Sequence, residues 1–111
     1  MGQPIDGAAT RPAGICAGAG HVVVYGNEAF REVFGAQCIG LPAREGLVGL
    51  PAAGFAVLDA VLERGLPAAR WIRMGGREWR LTAAPRRGLD DDVVYGVAFH
   101  LRERDDPLAR E

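Results

Sequence analysis

Cysteine and histidine are the side chains of this 111-residue sequence with the widest range of chemistry. Cys16 and Cys38 are the only cysteines, and neither belongs to a C-x-x-C motif or to a Cys/His cluster. Isolated thiols of this kind are predicted to be small buried apolar groups in a reducing compartment, so we expect neither a disulfide nor a metal site. His21 and His100 are predicted to be surface or hydrogen-bonded histidines and not metal ligands.

Carboxylates are the second group that could do chemistry. Residues 90–92 are three consecutive aspartates, whose side chains point in different directions and lack the spacing of a cation-binding loop, so a solvated hairpin tip is predicted. The other acidic pairs are spaced four residues apart on predicted helices: Glu28 with Glu32, and Asp59 with Glu63. Like charges at this spacing mildly destabilise a helix, and we expect a neighbouring arginine to offset them. The sequence contains no nucleophile elbow, phosphate loop or His-Glu metal motif, so no catalytic residue and no metal are predicted.

The composition predicts one soluble domain without a strong charge bias. A chain of this length can build a single core. The formal net charge is −1, so no global field would attract nucleic acid or an anionic membrane. The sequence has no signal peptide and no apolar run of the ~20 residues that a membrane-spanning helix needs. We therefore expect a cytoplasmic protein that binds neither nucleic acid nor membranes.

The central stretch of the sequence is a strand that leads directly into a short helix. Val22–Tyr25 is a run of strand-forming residues, and Gly26 breaks it. Asn27 is predicted to cap the helix, which ends at Gly35. Four residues form the predicted apolar stripe of this helix: Ala29, Phe30, Val33 and Phe34. A preceding strand over Ile15–Ala17 is predicted because such a strand requires an antiparallel neighbour.

The second half of the sequence predicts one longer helix, a hairpin and a last strand. The helix follows Gly54, ends at Gly65 and has a predicted apolar face of Phe55, Leu58, Val61 and Leu62. Gly75-Gly76 predicts a two-residue hairpin turn that places Ile72 opposite Trp79, Trp71 opposite Arg80 and Arg73 opposite Glu78. The last strand alternates, with Val93, Tyr95, Val97, Phe99 and Leu101 predicted on its buried side and a close approach at Gly96.

Several of these segments, in this order, resemble a PAS domain. They are N-E-A-F-R-E-V-F-G from Asn27, I-G-L-P from Ile39, F-x-x-L-D-x-V-L-E-x-G-x-P from Phe55, W-R-L-T-A-A-P from Trp79 and G-V-A-F-H-L-R-E-R from Gly96. The resemblance implies an α+β fold, in which a five-stranded antiparallel sheet has short helices and one longer helix packed on one face. The resemblance covers roughly Ile15 to Arg104. Residues 1–12 are rich in Gly, Ala and Pro and lack periodicity, so we expect a flexible N-terminal tail before a domain over 13–104, with a C-terminal tail over 105–111. Many PAS domains end in Asp-Ile-Thr-Glu-Arg; here His100 and Arg102 replace the Asp and the Thr.

The cofactor-bearing classes of PAS domain do not match this sequence. Flavin photosensors carry a cysteine just after the Ile-Gly of the turn segment, whereas Cys38 precedes Ile39-Gly40. Haem sensors take an axial histidine from the long helix, and residues 55–64 contain none. No cofactor is therefore expected, although a haem or flavin sensor and a small α+β enzyme remain the alternatives.

The resemblance implies a non-catalytic sensor or protein-interaction module of bacterial signalling, which binds itself as a homodimer or binds a signalling protein. The residues predicted to converge between sheet and helices either fill the core or line a cavity for a small apolar ligand: Phe30, Phe34, Leu58, Ile72, Trp79, Leu81 and Phe99. Trp71, Arg73 and Arg80 are the interface candidates, because a large aromatic residue on the outer side of a sheet is usually covered by a partner.

Overall fold

The computed structural model describes residues 11–89 and 92–104. The strands are β1 (Ala13–Ala17), β2 (Val22–Gly26), β3 (Ala68–Met74), β4 (Arg77–Arg87) and β5 (Val94–Glu103). The helices are α1 (Glu28–Phe34), α2 (Ala43–Gly46) and α3 (Ala52–Arg64), with a 3-10 turn over Ala36–Cys38. Both predicted tails lie largely outside the described residues, so their boundaries stay predictions.

The five strands form one antiparallel sheet in the order β2-β1-β5-β4-β3. The three helices pack on one face of this sheet, which confirms the predicted α+β architecture. We call the face under the helices the inner face and the opposite one the outer face. Because β1 lies between β2 and β5, the start of the domain sits in the middle of the sheet, next to its last strand.

Helix α1 begins and ends where the sequence predicts. The Asn27 Oδ1 accepts a hydrogen bond from the Phe30 N–H at 2.9 Å, and Gly35 follows the helix with a positive φ of 90°. Asn27 also ties the helix to β1, because its Oδ1 accepts from the Ala13 N–H at 3.1 Å. The predicted stripe is wrong at Val33, which is exposed, since a helix of seven residues presents only Phe30 and Phe34 to the core.

Helix α3 begins at Ala52, three residues before the predicted start at Phe55, and its buried face is offset from the predicted one. Its buried residues are Gly54, Val57, Leu58 and Val61, whereas Phe55 and Leu62 are only partly buried at the edges of the core. The sequence pattern therefore missed Val57, because a stripe more than 100° wide can be read with two different centres. Gly65 ends the helix in the left-handed conformation with φ 68°, as predicted.

The hairpin of β3 and β4 has the predicted register. Ile72 lies opposite Trp79, Trp71 opposite Arg80 and Arg73 opposite Glu78, around a turn in which both glycines have positive φ. The register assigns Ile72 and Trp79 to the inner face and Trp71 and Arg80 to the outer face. Glycine fits this turn because a two-residue turn of type I′ needs positive φ at both central residues.

Strand β5 follows the predicted alternation only in part. Val97, Phe99 and Leu101 are buried, but Tyr95 is 44% exposed and Val93 lies before the strand and is exposed. An irregularity in the pairing between Arg86 and Arg87 of β4 shifts the register there, so residues before Gly96 leave the inner face. The predicted close approach is confirmed: a Cβ on Gly96 would overlap the carbonyl oxygen of Cys16. Asp90 and Asp91 of the predicted hairpin tip lie outside the described residues.

Candidate functional site

The seven residues predicted to converge do so on the inner face of the sheet. Six of them are buried, namely Phe30, Phe34, Leu58, Ile72, Leu81 and Phe99, while Trp79 is partly buried and packs against the same cluster. The Phe30 ring centroid lies 4.8 Å from that of Phe34 and 5.7 Å from that of Phe99. Aromatic rings at these separations are in favourable contact. Any ligand at this position must therefore displace a side chain or move a helix.

The Phe30 ring is held against the backbone of two strands. Gly14 and Gly26 lie opposite each other in β1 and β2, and a Cβ on either would overlap this ring. Because these two glycines have no side chains, the fully buried Phe30 ring packs directly against the backbone of the sheet. At the other end of the core, the Trp79 Nε1–H donates to the Met74 carbonyl at 3.2 Å, which fixes the indole beside the hairpin turn.

A polar cluster around the buried His21, which the sequence did not predict, joins the β1–β2 turn to the helices. His21 is 0% exposed, and its Nε2 lies 2.7 Å from the Asp59 Oδ1 on α3. Because an ionised carboxylate can only accept, the Nε2–H donates in this bond. The other carboxylate oxygen of Asp59 accepts from the Arg44 Nη2 of α2 at 3.1 Å. The His21 carbonyl also accepts from the Ala43 N–H, so His21 connects one turn to both helices.

The electrostatics of this cluster follow from its hydrogen bonds. The bond from His21, and the smaller contribution of Arg44, hold the pKa of the Asp59 carboxyl below its usual value. The His21 Nδ1 is buried and has no hydrogen-bond partner among the described residues. His21 also has a φ of 51°, which is uncommon for a residue with a side chain. The sequence predicted a surface or hydrogen-bonded histidine; the structure places it in the core with one bond made.

The two cysteines are buried and free. Desolvation, with a smaller effect of the neighbouring Cys38, raises the pKa of the Cys16 thiol to about 12. Since the thiolate is the reactive form, Cys16 is a weak nucleophile and acts as a small apolar core residue, as predicted. Among residues 11–89 and 92–104, no three His, Cys, Asp or Glu side chains gather in a way that could hold a metal ion. In the same part of the chain, no helix is long and apolar enough to cross a membrane.

The interface candidates lie together on the outer face. Trp71 is 43% exposed, and its ring carries the guanidinium carbon of Arg80 at 5.7 Å, as the hairpin register predicts. Arg104, which the sequence did not single out, approaches the same ring at 5.6 Å. Arg73 is exposed and pairs with Glu78 at 3.5 Å. These contacts fix the tryptophan in place on a surface that no other described element covers.

A shallow trough of about 340 Å³ lies beside these residues on the outer face. Small and apolar side chains from four strands line it: Ala13, Ile15, Tyr25, Ala84 and Ala98, with Thr82 and His100 at the side toward Arg80. His100 is therefore on the opposite side of the sheet from α3. Burial, and then the charges of Arg11 and Arg102, lower the pKa of His100.

Comparison with known proteins identifies this architecture. The sequence matches no family model and no curated protein. Among solved structures, the chain is similar to the PAS domain of the histidine kinase ThkA, with a TM-score of 0.68 over 84% of this chain and 99% of that one, at 17% identity. The chain has the PAS fold. This confirms the resemblance found in the sequence, at the level of the fold.

Two further solved structures, a second histidine kinase and the protein VqmA, have similar folds. A sensory box sensor histidine kinase from Vibrio cholerae matches with a TM-score of 0.69 over 89% of this chain and 86% of that one, at 13% identity. VqmA, a Vibrio cholerae protein, has been solved bound to DPO and matches with a TM-score of 0.68 at 22% identity. The match covers 88% of this chain and 53% of that VqmA chain, so the PAS fold spans about half of it.

Proposed function

We propose that this PAS domain is a non-catalytic sensor and protein-interaction module of cytoplasmic signal transduction. It binds a small apolar ligand between the sheet and the helices, and it dimerises or binds a signalling protein through its outer face. The single observation that supports this best is the shared fold: between 84% and 89% of this chain matches two histidine kinase structures and VqmA, which has been solved bound to DPO. The seven inner-face residues named above form the ligand site in this proposal.

Helix α1 is the element that would move when a ligand binds. It has only seven residues, and a helix of this length is marginal without tertiary contacts. Phe30 and Phe34 supply those contacts, and Phe34 is the outer of the two, at 6% exposure against 0%. A ligand that replaces the Phe34 ring would bind the conformation in which α1 has shifted, and it would thereby change the population of that conformation.

Native mass spectrometry and a visible spectrum of the purified protein test the ligand site. We expect a co-purifying small molecule without haem or flavin absorbance. Phe34→Trp should reduce its occupancy by filling the space, whereas Val33→Trp, on the exposed side of the same helix, should not. A haem or flavin spectrum would favour a cofactor-bearing sensor instead. If no molecule co-purifies and no compound raises the melting temperature of the wild type, the inner face is a filled core.

Sedimentation equilibrium tests the outer face. Trp71→Ala and Arg80→Ala should weaken either self-association or partner binding, because Trp71 is a large exposed aromatic residue of the outer face and Arg80 lies over its ring. Arg31→Ala, an exposed arginine on α1, is the control. Association that is insensitive to Trp71 and Arg80 would place the interface elsewhere.

A further inference from the structure

One row of residues across three strands concentrates positive charge on the outer face. The register places Trp71 of β3 opposite Arg80 of β4, and Arg80 opposite Arg102 of β5. Neighbouring strands are about 4.8 Å apart, so the three Cα atoms span only about 10 Å. Arg104, whose guanidinium carbon lies 5.6 Å from the centroid of the Trp71 ring, adds a third guanidinium. We call these four residues the basic patch.

The patch has little negative charge to balance it. Glu78 is the one carboxylate that pairs with it in the described part of the chain, and Glu78 already binds Arg104 at 2.9 Å and Arg73 at 3.5 Å. Neither Arg80 nor Arg102 forms an ion pair with any described carboxylate, and the Arg102 Nε is buried without a hydrogen-bond partner. Arg80 and Arg102 are both partly buried residues, and no described carboxylate neutralises either of their guanidinium groups.

The outer face carries an excess of positive charge that the helix side of the molecule does not share. The helices and the inner-face positions of β3–β5 are balanced, with Glu28, Glu32, Glu45, Asp59, Glu63 and Glu103 against Arg31, Arg44, Arg64, Arg70, Arg77 and Arg87. The outward-facing positions of β3–β5 and Arg104 after them are strongly basic, with Arg73, Arg80, Arg86, Arg102 and Arg104 against Glu78. An overall net charge of −1 hides this asymmetry, which would orient a negatively charged partner toward the outer face.

The neighbouring trough indicates what kind of anion fits. Its wall of Ala13, Ala84 and Ala98 leaves room for an aliphatic or aromatic side chain, with Ile15 and Tyr25 at one end. A peptide can place such a side chain in the trough and carboxylates on the patch, whereas a nucleic-acid backbone has no aliphatic group for it. A second copy fits less well, because an isologous contact would bring the same arginine-rich surface against itself.

We propose that the outer face binds an acidic peptide segment of another protein, with an apolar residue in the trough and carboxylates on Arg80 and Arg102. This inference rests on the proposed interaction function and specifies the partner. Arg80 and Arg102 act by charge-assisted hydrogen bonds, which guanidinium groups form with carboxylates in a bidentate geometry. Trp71 provides a rigid apolar contact beside Arg80 and Arg104.

Selection from a random phage-displayed library tests this with the full chain as bait. Displayed peptides of about twelve residues are long enough, when extended, to span the patch and the trough. We expect enrichment of Asp and Glu around a hydrophobic residue. A labelled selected peptide should bind more weakly as salt rises from about 0.05 M to about 0.5 M. Arg80→Gln with Arg102→Gln should weaken it about a hundredfold, since two charge-assisted bonds are lost and each is worth about a factor of ten.

The control removes the same charge from the other side of the molecule. Arg31→Gln with Arg64→Gln changes two exposed arginines of the helices and should leave binding unchanged, while thermal melting verifies that both double variants fold. Asp105 and Asp106 follow Arg104 of the basic patch in the sequence. If the double variant Asp105→Asn with Asp106→Asn binds the peptide more tightly than the wild type, these aspartates compete with the peptide for the same site, which supports the inference.

Three results would overturn the inference. They are selected peptides without an acidic bias, no peptide binding by either the wild type or the tail variant, and oligothymidylate binding more tightly than any acidic peptide. If the inference fails but sedimentation shows association that depends on Trp71, the interaction function stands and the partner is a second copy. If neither peptide binding nor self-association depends on the outer face, the interaction function itself fails.

Discussion

Replacing Asp59 by alanine is the most informative perturbation of this fold. Its carboxylate is the single hydrogen-bond partner that the described residues give to the fully buried His21 side chain. In Asp59→Ala, both imidazole nitrogens would be left without a protein partner inside the core. The Arg44 side chain, which is 57% exposed, would return to water without a comparable penalty. Asp59→Ala should therefore destabilise the protein much more than Arg44→Ala.

The expected loss in free energy of unfolding depends on how deeply the partner of each side chain is buried. A hydrogen bond to a charged group contributes about 1.5–3 kcal/mol, and a buried donor left unsatisfied costs about 1–3 kcal/mol. The Asp59 side chain is 43% exposed, so water screens the carboxylate and we expect a value near the lower end, about 2 kcal/mol. Arg44→Ala removes an exposed ion pair and should cost about 0–1 kcal/mol. Asp59→Asn keeps an acceptor for the imidazole and should fall between the two.

Urea denaturation at neutral pH, followed by tryptophan fluorescence, measures these differences. The pH dependence provides a second test. Because the hydrogen bond from His21 lowers the pKa of Asp59 in the folded state, this carboxylate stabilises the fold fully above its unfolded pKa of about 3.9. That contribution is lost as the pH falls through the lower, folded pKa. The difference between wild type and Asp59→Ala should therefore shrink below about pH 4. An Asp59→Ala protein as stable as Arg44→Ala would refute the role given to the buried imidazole.

Two further substitutions test how the strands are held. Gly96→Ala should lower the free energy of unfolding by about 2 kcal/mol or more, because the new Cβ meets the backbone oxygen of Cys16, which cannot rotate away. Gly20→Ala has open space around its Cβ and should change the free energy of unfolding by less than about 1 kcal/mol. Equal effects of the two substitutions would show that β1 and β5 can separate easily. Asn27→Ala should cost about 1–2 kcal/mol as a lost cap. Asn27→Ser should recover only part of this, since the shorter side chain reaches the helix but neither the Ala13 N–H nor the Arg11 carbonyl, which Asn27 also binds. Full recovery by serine, measured by thermal denaturation, would mean that these two bonds contribute nothing.

Local chemistry predicted the elements of this domain well. Asn27, Gly35 and Gly65 act within one helical turn of their own positions, so the helix ends could be read from neighbouring residues alone. The Gly75-Gly76 turn fixed the pairing of β3 with β4, because a two-residue loop permits one register. The predictions that failed, at Val33 and Tyr95, depend on how far a helix or strand extends against the core, which neighbouring residues do not determine.

The candidate sites also combine features that the sequence predicts with features that depend on the tertiary structure. The sequence by itself determined which residues are apolar enough to meet under the helices, and which side of the hairpin carries Trp71. Only the tertiary structure decided that Phe30 lies on the glycines of β1 and β2, and that His21 bonds to Asp59, 38 positions further along the chain. It also decided that Arg102 completes the row of Arg80 and Trp71, because that requires β5 beside β4. Periodicity and capping are local properties, whereas a contact between distant residues exists only once the order of the strands has brought them together.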